Sequence, residues 1–418
     1  MPESGRSGRR PLLALLAAQT VSLLGSQLTV VALPWFVLQT TGSATKTGLT
    51  GVAAAVPVAL AALFGGQLVD RLGPRRVSIT ADLAGGLAVA LIPTLHHTIG
   101  LAFWQLLALV FAGRLLTVPG ATARDTLLPD LLASADLPPG RVNATAQALR
   151  NAAQLLGPPL AGVLIAALGA SPALWLDALT YAASAGIVAV AVAPRAPAPE
   201  AASARARGGR GELLAGWRFI RRDRLLRALA LGGTVVNAIG VPLGAVLLPV
   251  YAARAIGGPV ALGLLFAALG GGALGGSLFY AALGHRMLRR RIYMAAYLAL
   301  ALPLWGLAAL PGLPLALVAL AMQGFAVGQL NPLTLTIEQE RIPAALRGRV
   351  FGALLALANV ATPLGILLAG TALDRIGLRG VFLGLAALLS LVAVQALVNP
   401  ALRAMDRPAG AEETPTTK

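Results

Sequence analysis

The chain has 418 residues, 57% of them hydrophobic and only 12% charged, with a mean hydropathy of +0.78. A soluble chain carries about twice that charge, so a string of soluble domains is excluded. The net charge of +17 comes almost wholly from arginine, without zinc-ligand spacings, and the absence of cysteine rules out disulfides and thiol chemistry.

The charges cluster between apolar stretches of about 20 residues, the length that crosses a ~30 Å hydrocarbon layer. Twelve such stretches are predicted, at 12–38, 48–69, 77–95, 99–118, 144–168, 172–193, 228–251, 259–283, 292–310, 313–334, 350–372 and 378–398. The first is long for a signal-peptide core and lacks a clear small-residue cleavage site, so it reads as a retained span. Twelve spans put both termini on one side, and arginine decides which. The terminal segments and even-numbered loops, with Arg124 and Arg141 counted in the fourth, hold 27 basic residues. The opposite face holds Lys46, Arg254, Arg375 and Arg379. That bias predicts cytoplasmic termini and explains the charge without a nucleic-acid partner. The sixth loop, roughly 194–227, is the longest. Its end, GluLeuLeuAlaGlyTrpArgPheIleArgArg, alternates basic and apolar residues at helical spacing and predicts a helix along the membrane surface.

The second half repeats the first. Shifted by 208 residues, Gly140–Gly169 aligns with Gly348–Gly377 without a gap, and 13 of 30 positions are identical. Asn151 meets Asn359, Gly162 meets Gly370 and Gly169 meets Gly377. More faintly, Pro119 with Asp125 echoes Pro332 with Glu338, and Gly66-x-Leu68 echoes Gly276-x-Leu278. An offset that crosses an even number of spans gives the copies the same orientation, so parallel repeats are expected. The expected domains are a six-helix bundle at 1–193, a linker at 194–227, a second bundle at 228–398 and a disordered tail at 399–418.

Between spans two and three, GlyGlyGlnLeuValAspArgLeuGlyProArgArg (65–76) places Gly66, Asp70, Arg71, Gly73, Arg75 and Arg76 in one short loop. Gly66 suits a close helix approach, Gly73 a tight turn, and Asp70 a charge-assisted contact that forms in one state only. The string resembles the loop signature of the major facilitator superfamily. Further along, ValSerLeuLeuGlySerGlnLeuThrValValAlaLeuPro (21–34), ThrLeuLeuProAspLeuLeu (126–132), LeuLeuGlyProProLeuAlaGlyValLeu (155–164), LeuTrpLeuAspAlaLeuThrTyr (174–181) and the linker string resemble its macrolide-efflux and enterobactin-exporter branch. The resemblance implies an all-α polytopic fold of twelve transmembrane helices in two parallel six-helix repeats. It also implies a multi-pass protein of the inner (plasma) membrane that exports small amphipathic molecules, as an antiporter with protons. Where relatives often carry an acid after the glycine of span one, this chain has Ser26.

Gly157, Pro158, Pro159 and Gly162 resemble the fifth-span exporter motif; two prolines without N–H donors suit a kink or hinge. The resemblance places spans one, four, seven and ten around a central cavity, whose polar positions here are Gln19, Ser22, Ser26, Gln27, Gln105, Asn237, Gln323 and Asn331. Charge inside a membrane is costly and marks function by default, so Asp82, Arg114, Arg150 and Asp177 are the coupling candidates. Asp82 and Asp177 are expected near span ends, and Arg114 near the inner end of span four. Neither cofactor nor metal is expected, and the protein is expected to be a monomer in the lipid bilayer. An importer or lipid-type transporter of the same fold is the alternative. A membrane receptor or enzyme ranks lower, because no span carries a His/Asp/Glu cluster and no Walker loop appears.

Overall fold

The computed structural model describes residues 4–135, 137–193, 210–343 and 346–406, and every regular element among them is helical. In lipid each backbone polar group must be satisfied within its own segment, and a helix does this locally. The elements are α1 (Ser4–Thr41), α2 (Ala44–Leu72), α3 (Pro74–Thr98), α4 (Phe103–Ala135), α5 (Pro139–Leu168) and α6 (Ala170–Ala191). They continue with α7 (Arg210–Arg222), α8 (Arg224–Pro242), α9 (Leu248–Tyr251), α10 (Pro259–Leu283), α11 (Arg289–Ala308), α12 (Leu313–Arg341) and α13 (Arg347–Val398). A π-helical turn, Leu243–Leu247, joins α8 to α9, and a second, Ala252–Ile256, extends α9, so that 224–256 form one long span.

Among the described residues eleven helices are long and apolar enough to cross a membrane. The last, α13, has 52 residues and breaks at Gly377, where φ is 69° and ψ 176°. A break there is compatible with the expected twelve spans. Gly169, at the equivalent place 208 residues earlier, ends α5 with φ 92° and ψ 169°. Side chains avoid this left-handed region, so each copy of the repeat uses glycine to turn from its fifth span into its sixth.

Two expectations about boundaries fail. The fourth span was expected to end at 118, yet α4 runs on to Ala135 with Pro119 and Pro129 inside it. Arg124 is therefore helical and buried rather than a loop residue, and Arg114 lies mid-span. The tail was expected to be disordered from 399. Instead Pro400–Asp406 form a 3-10 helix that buries Leu402 and Met405, and Asp406 Oδ1 accepts from the Arg290 N–H at 3.2 Å. The rest of the tail, and 194–209 of the linker, lie outside the described residues.

The faces of the helices invert the soluble pattern. On α3, Ser78, Asp82, Gly85 and Gly86 are buried while Leu83 and Leu87 are exposed. On α6, Asp177, Tyr181 and Ser184 point inward, while Leu176, Leu179 and Val190 point outward. Apolar faces without a partner suit hydrocarbon, and small or polar inner faces suit close helix packing.

The described chain forms two compact units. The first gathers Met1–Arg207 with Ala245–Ala267 and Ile366–Thr371. Within it, α5 meets the start of α10: a Cβ on Gly162 would sit 2.6 Å from the Pro259 carbonyl oxygen, and one on Gly263 would sit 2.5 Å from that of Pro158. In the same unit a Cβ on Gly370 would sit 2.9 Å from the Ala44 carbonyl oxygen and 3.1 Å from Gly48 Cα.

The second unit gathers Gly208–Gly244, Ala268–Gly365 and Ala372–Lys418. Here α7 does not simply lie in the interface as its pattern suggested. Ile220 is buried with Leu226, Ala230, Ile342, Val350 and Ala353, and Gly216 backs onto the Arg349 carbonyl. Arg218, Arg221 and Arg222 stay exposed on its other face. Asp223 then caps α8 through the N–H groups of Leu225 and Leu226, and accepts from Arg341 Nη1 at 2.9 Å. Helices α10 and α12 pack backbone to backbone through Gly272, Gly276, Gly324 and Gly328. Pro332 cannot donate to the Gly328 carbonyl, and Ser277 Oγ fills the vacancy at 3.0 Å.

Candidate functional site

Polar residues at helical spacing build a stripe down the inside of the first unit. On α1 these are Ser22, Ser26 and Thr29; on α6 they are Asp177, Tyr181 and Ser184. Both sets follow i, i+4, i+7, which is one helix face. Gly25 lets the two faces meet, since a Cβ there would overlap the Thr180 hydroxyl and lie 2.5 Å from Asp177 Oδ1.

One end of the stripe is an ion pair. Arg124 Nη1 donates to both carboxylate oxygens of Asp82 at 2.7 Å, and Ser184 Oγ donates to Asp82 Oδ2 at 2.6 Å. Arg124 Nη2 reaches Ser22 Oγ at 3.4 Å. Asp82 is wholly buried and Arg124 is 5% exposed. Of the two acidic coupling candidates, Asp82 is thus the one already neutralised by a direct partner, and that partner is a residue the sequence pattern assigned to a loop.

In the middle, Ser26 Oγ donates to the Ser22 carbonyl at 2.9 Å and lies 3.0 Å from the Tyr181 hydroxyl. At the far end Asp177, 1% exposed, accepts from Thr29 Oγ1, and Thr180 Oγ1 lies 3.3 Å from its carboxylate. Asp177 and Arg114 line one cavity, with Ser26, Thr29, Thr117 and Tyr181 as its other polar walls and Val89, Ile92, Leu109 and Val110 as its apolar ones. Arg114 forms no direct ion pair among the described residues. The cavity measures ≈ 30 Å³, room for a water molecule or two. A drug-sized ligand needs about 300–1,000 Å³. Size therefore fits this cavity to protons and water rather than to an organic substrate.

The remaining sequence-derived residues fall in several places. Gln19 donates to Asp125 Oδ1 at 3.1 Å, and Arg150 lies 3.7 Å from the same oxygen while also donating to Gln147. Gln27 packs under Gly157, where a Cβ would come 2.6 Å from its own Cβ. α5 stays helical through Pro158 and Pro159. Gln105 caps the start of α4 by accepting from the Ala102 N–H at 2.9 Å. Asn237 and Asn331 are exposed, whereas Gln323 is buried and donates to the Leu300 carbonyl at 3.1 Å.

In the 65–76 loop, Gly73 has φ 81° and both ends α2 and starts α3, as the turn requires. Arg75 reaches the C-terminal end of α6, donating to the carbonyls of Ala189 at 2.6 Å and Val192 at 2.5 Å. Asp70 is half-buried and makes no hydrogen bond or ion pair among the described residues, Arg71 and Arg76 are exposed, and a Cβ on Gly66 would meet nothing within 4 Å. The close approach expected at Gly66 occurs instead at its echo, Gly276, whose Cβ would sit 2.1 Å from the Phe325 carbonyl oxygen.

Eleven apolar helices of membrane-crossing length among the described residues, a repeat with matching glycine turns and ionisable groups buried inside a helical bundle define a polytopic membrane carrier. Residues 15–354 and 233–418 match the Major Facilitator Superfamily, and the chain belongs to it. It is accordingly a multi-pass membrane transporter and not an enzyme. It is 35% identical to the multidrug efflux pump Tap of Mycolicibacterium fortuitum over 95% of this chain and 98% of that protein. Tap of Mycobacterium tuberculosis (strain ATCC 25618 / H37Rv) is likewise 35% identical, over 96% of each chain. Macrolide efflux protein A of Streptococcus pyogenes is 23% identical over 93% of this chain and 96% of its own. Among solved structures, the nucleoside transporter NupG (a mutant form) superposes with a TM-score of 0.78 at 14% identity, over 95% of this chain and 100% of that one. At that identity the likeness speaks for the fold alone.

Proposed function

We propose that the chain is a secondary active exporter of small amphipathic organic compounds, working by alternating access and driven by protons taken up at Asp177. Export is supported by full-length similarity to a multidrug efflux pump and a macrolide efflux protein. Proton coupling is carried by one observation: a buried carboxylate and an arginine without a direct partner share a cavity sized for water. Ionised Asp177 balances the charge of Arg114 across that cavity. A proton on Asp177 removes the balance and leaves the half-buried Arg114 cation alone, at a cost of up to about 2.5–3.5 kcal/mol in a membrane interior. That is enough to shift a two-state equilibrium roughly a hundredfold. Asp177 so takes the place of the acid missing at Ser26, and Thr29, Ser26 and Tyr181 supply hydroxyls that can solvate either protonation state.

In this reading the repeats at 1–193 and 228–398 are the moving bodies, with the 66–76 loop as a latch. Gly157, Pro158, Pro159 and Gly162 form the bearing surface of α5. The substrate path is lined by exposed polar positions such as Gln19, Asn237 and Asn331. The experiment is uptake of ethidium into inverted vesicles under an imposed proton gradient. Wild-type uptake should collapse with an uncoupler. Asp177→Asn should bind ethidium but lose the uncoupler-sensitive uptake, while Ser26→Ala, which removes one hydroxyl and no charge, should lose less. Unchanged, uncoupler-sensitive uptake by Asp177→Asn would remove Asp177 from the coupling. Transport only in the opposite direction would make the protein an importer.

A further inference from the structure

We infer that residues 400–406 form a clasp that makes the second unit move as one body during transport, with Arg290 as its positioning residue. The consequence for transport rests on the export reading above; the clasp itself does not. It begins in the sequence. Asn399 ends α13, and its Oδ1 accepts from the Ala401 N–H at 3.0 Å, so that with Pro400 it turns the chain back. Leu402 and Met405, three residues apart, share one face of the 3-10 helix. Each is 1% exposed, and the segment packs against α8 and α11.

Its polar groups supply what the helix ends lack locally. Leu288 stands at the N-cap of α11, and its side chain has no acceptor for the orphan N–H groups of the first turn. Asp406 Oδ1 accepts from the second of them, that of Arg290, at 3.2 Å. A carboxylate there also meets the positive end of the helix dipole. The Arg290 guanidinium reaches the other way, with Nη2 donating to the Leu397 carbonyl at 3.0 Å in the last turn of α13. Arg341, at the end of α12, makes the remaining link. Its Nη1 donates to Asp223, the cap of α8, at 2.9 Å, and its Nη2 donates to the Ala404 carbonyl at 3.5 Å. Four helix ends therefore meet on one short segment.

The first unit holds a simpler form of the same device. Arg75 is the second residue of α3, as Arg290 is of α11, and it grips the Ala189 and Val192 carbonyls at the end of α6. Ala189 and Leu397 are 208 residues apart, the offset of the repeat. The two arginines correspond by their place in the helix and not by that offset. Every contact of the clasp lies inside the second unit, so a motion of that unit as a body breaks none of them. A moving body passes on the effect of a bound proton only if its helices keep their mutual places. Ends left untied would lose it to local opening. The clasp is a tie and not a gate.

The first measurement is amide exchange on the full-length protein in nanodiscs. Asp406→Ala should speed exchange in the first turn of α11 about fivefold. Asp406→Asn, whose Oδ1 still accepts an N–H, should restore most of the protection. Saturating ethidium should leave exchange at 400–406 unchanged. The second measurement is ethidium uptake into inverted vesicles. Asp406→Ala and Arg290→Ala should each lose at least about half of the maximal rate while the ethidium Kd stays within about twofold. Asp406→Asn should stay near wild type. Unchanged exchange in α11 of Asp406→Ala would overturn the clasp, and faster exchange at 400–406 with ethidium bound would make it a gate instead of a tie. A wild-type uptake rate in Asp406→Ala, with α11 loosened, would remove its role in transport. Wild-type vesicles that take up no ethidium would count against the export reading, and exchange would still decide the clasp.

Discussion

Asp82 and Arg124 form a buried ion pair at one end of the polar stripe. Their contact is short and carries Ser184 as a further donor, but Arg124 Nε is buried without a hydrogen-bond partner. A pair with an unfilled donor contributes little net stability, yet removing one partner strands the other charge, at a cost of about 3–5 kcal/mol. Asp82→Asn and Arg124→Met should each cut the yield of folded protein and lower its melting temperature in detergent. The double variant should melt well above either single one. Independent, additive losses would show that the two side chains do not act as a pair. This pair was half legible in the sequence: Asp82 stood out as a charge in an apolar stretch, but Arg124 was absorbed into the count of loop arginines. Nothing in local composition distinguishes a positive-inside arginine from one that continues a helix past two prolines.

At the scale of elements, the 65–76 loop combines one legible feature and one hidden one. The turn at Gly73 followed from the glycine–proline order alone, because a positive φ and a helix-starting proline leave few alternatives. The reach of Arg75 to α6 did not, since it bridges 117 positions of sequence. Its guanidinium holds the last carbonyls of a helix that otherwise ends without a side-chain partner, and a cation there also meets the negative end of the helix dipole. Hydrogen bonds to a charged group are worth about 1.5–3 kcal/mol. Arg75→Ala should therefore lower the melting temperature and loosen α6, seen as faster amide exchange near Ala189. Arg76→Ala, at the exposed neighbour, should do neither. If the two variants behave alike, the loop is held by its charge and not by this contact.

Across the whole molecule, the repeat is best seen in what its glycines do. Gly162 and Gly370 are 208 residues apart, and both seat a helix against backbone inside the first unit, one on α10 and the other on the start of α2. The offset in the sequence showed that these positions match; only the structure shows that they perform the same packing job. Two effects of adding a methyl group compete at such sites. Alanine in place of a helical glycine gains about 0.5–1 kcal/mol from backbone entropy, while overpacking a tight contact costs about 1–3 kcal/mol. At Gly162 and Gly370 the new Cβ would lie 2.6 Å and 2.9 Å from a carbonyl oxygen, so the cost prevails and both alanine variants should melt at a lower temperature. At Gly66 the space is open, the gain stands alone, and Gly66→Ala should melt slightly higher. The sign is the test: a rise in melting temperature for Gly162→Ala or Gly370→Ala would mean that these helices do not stay seated together.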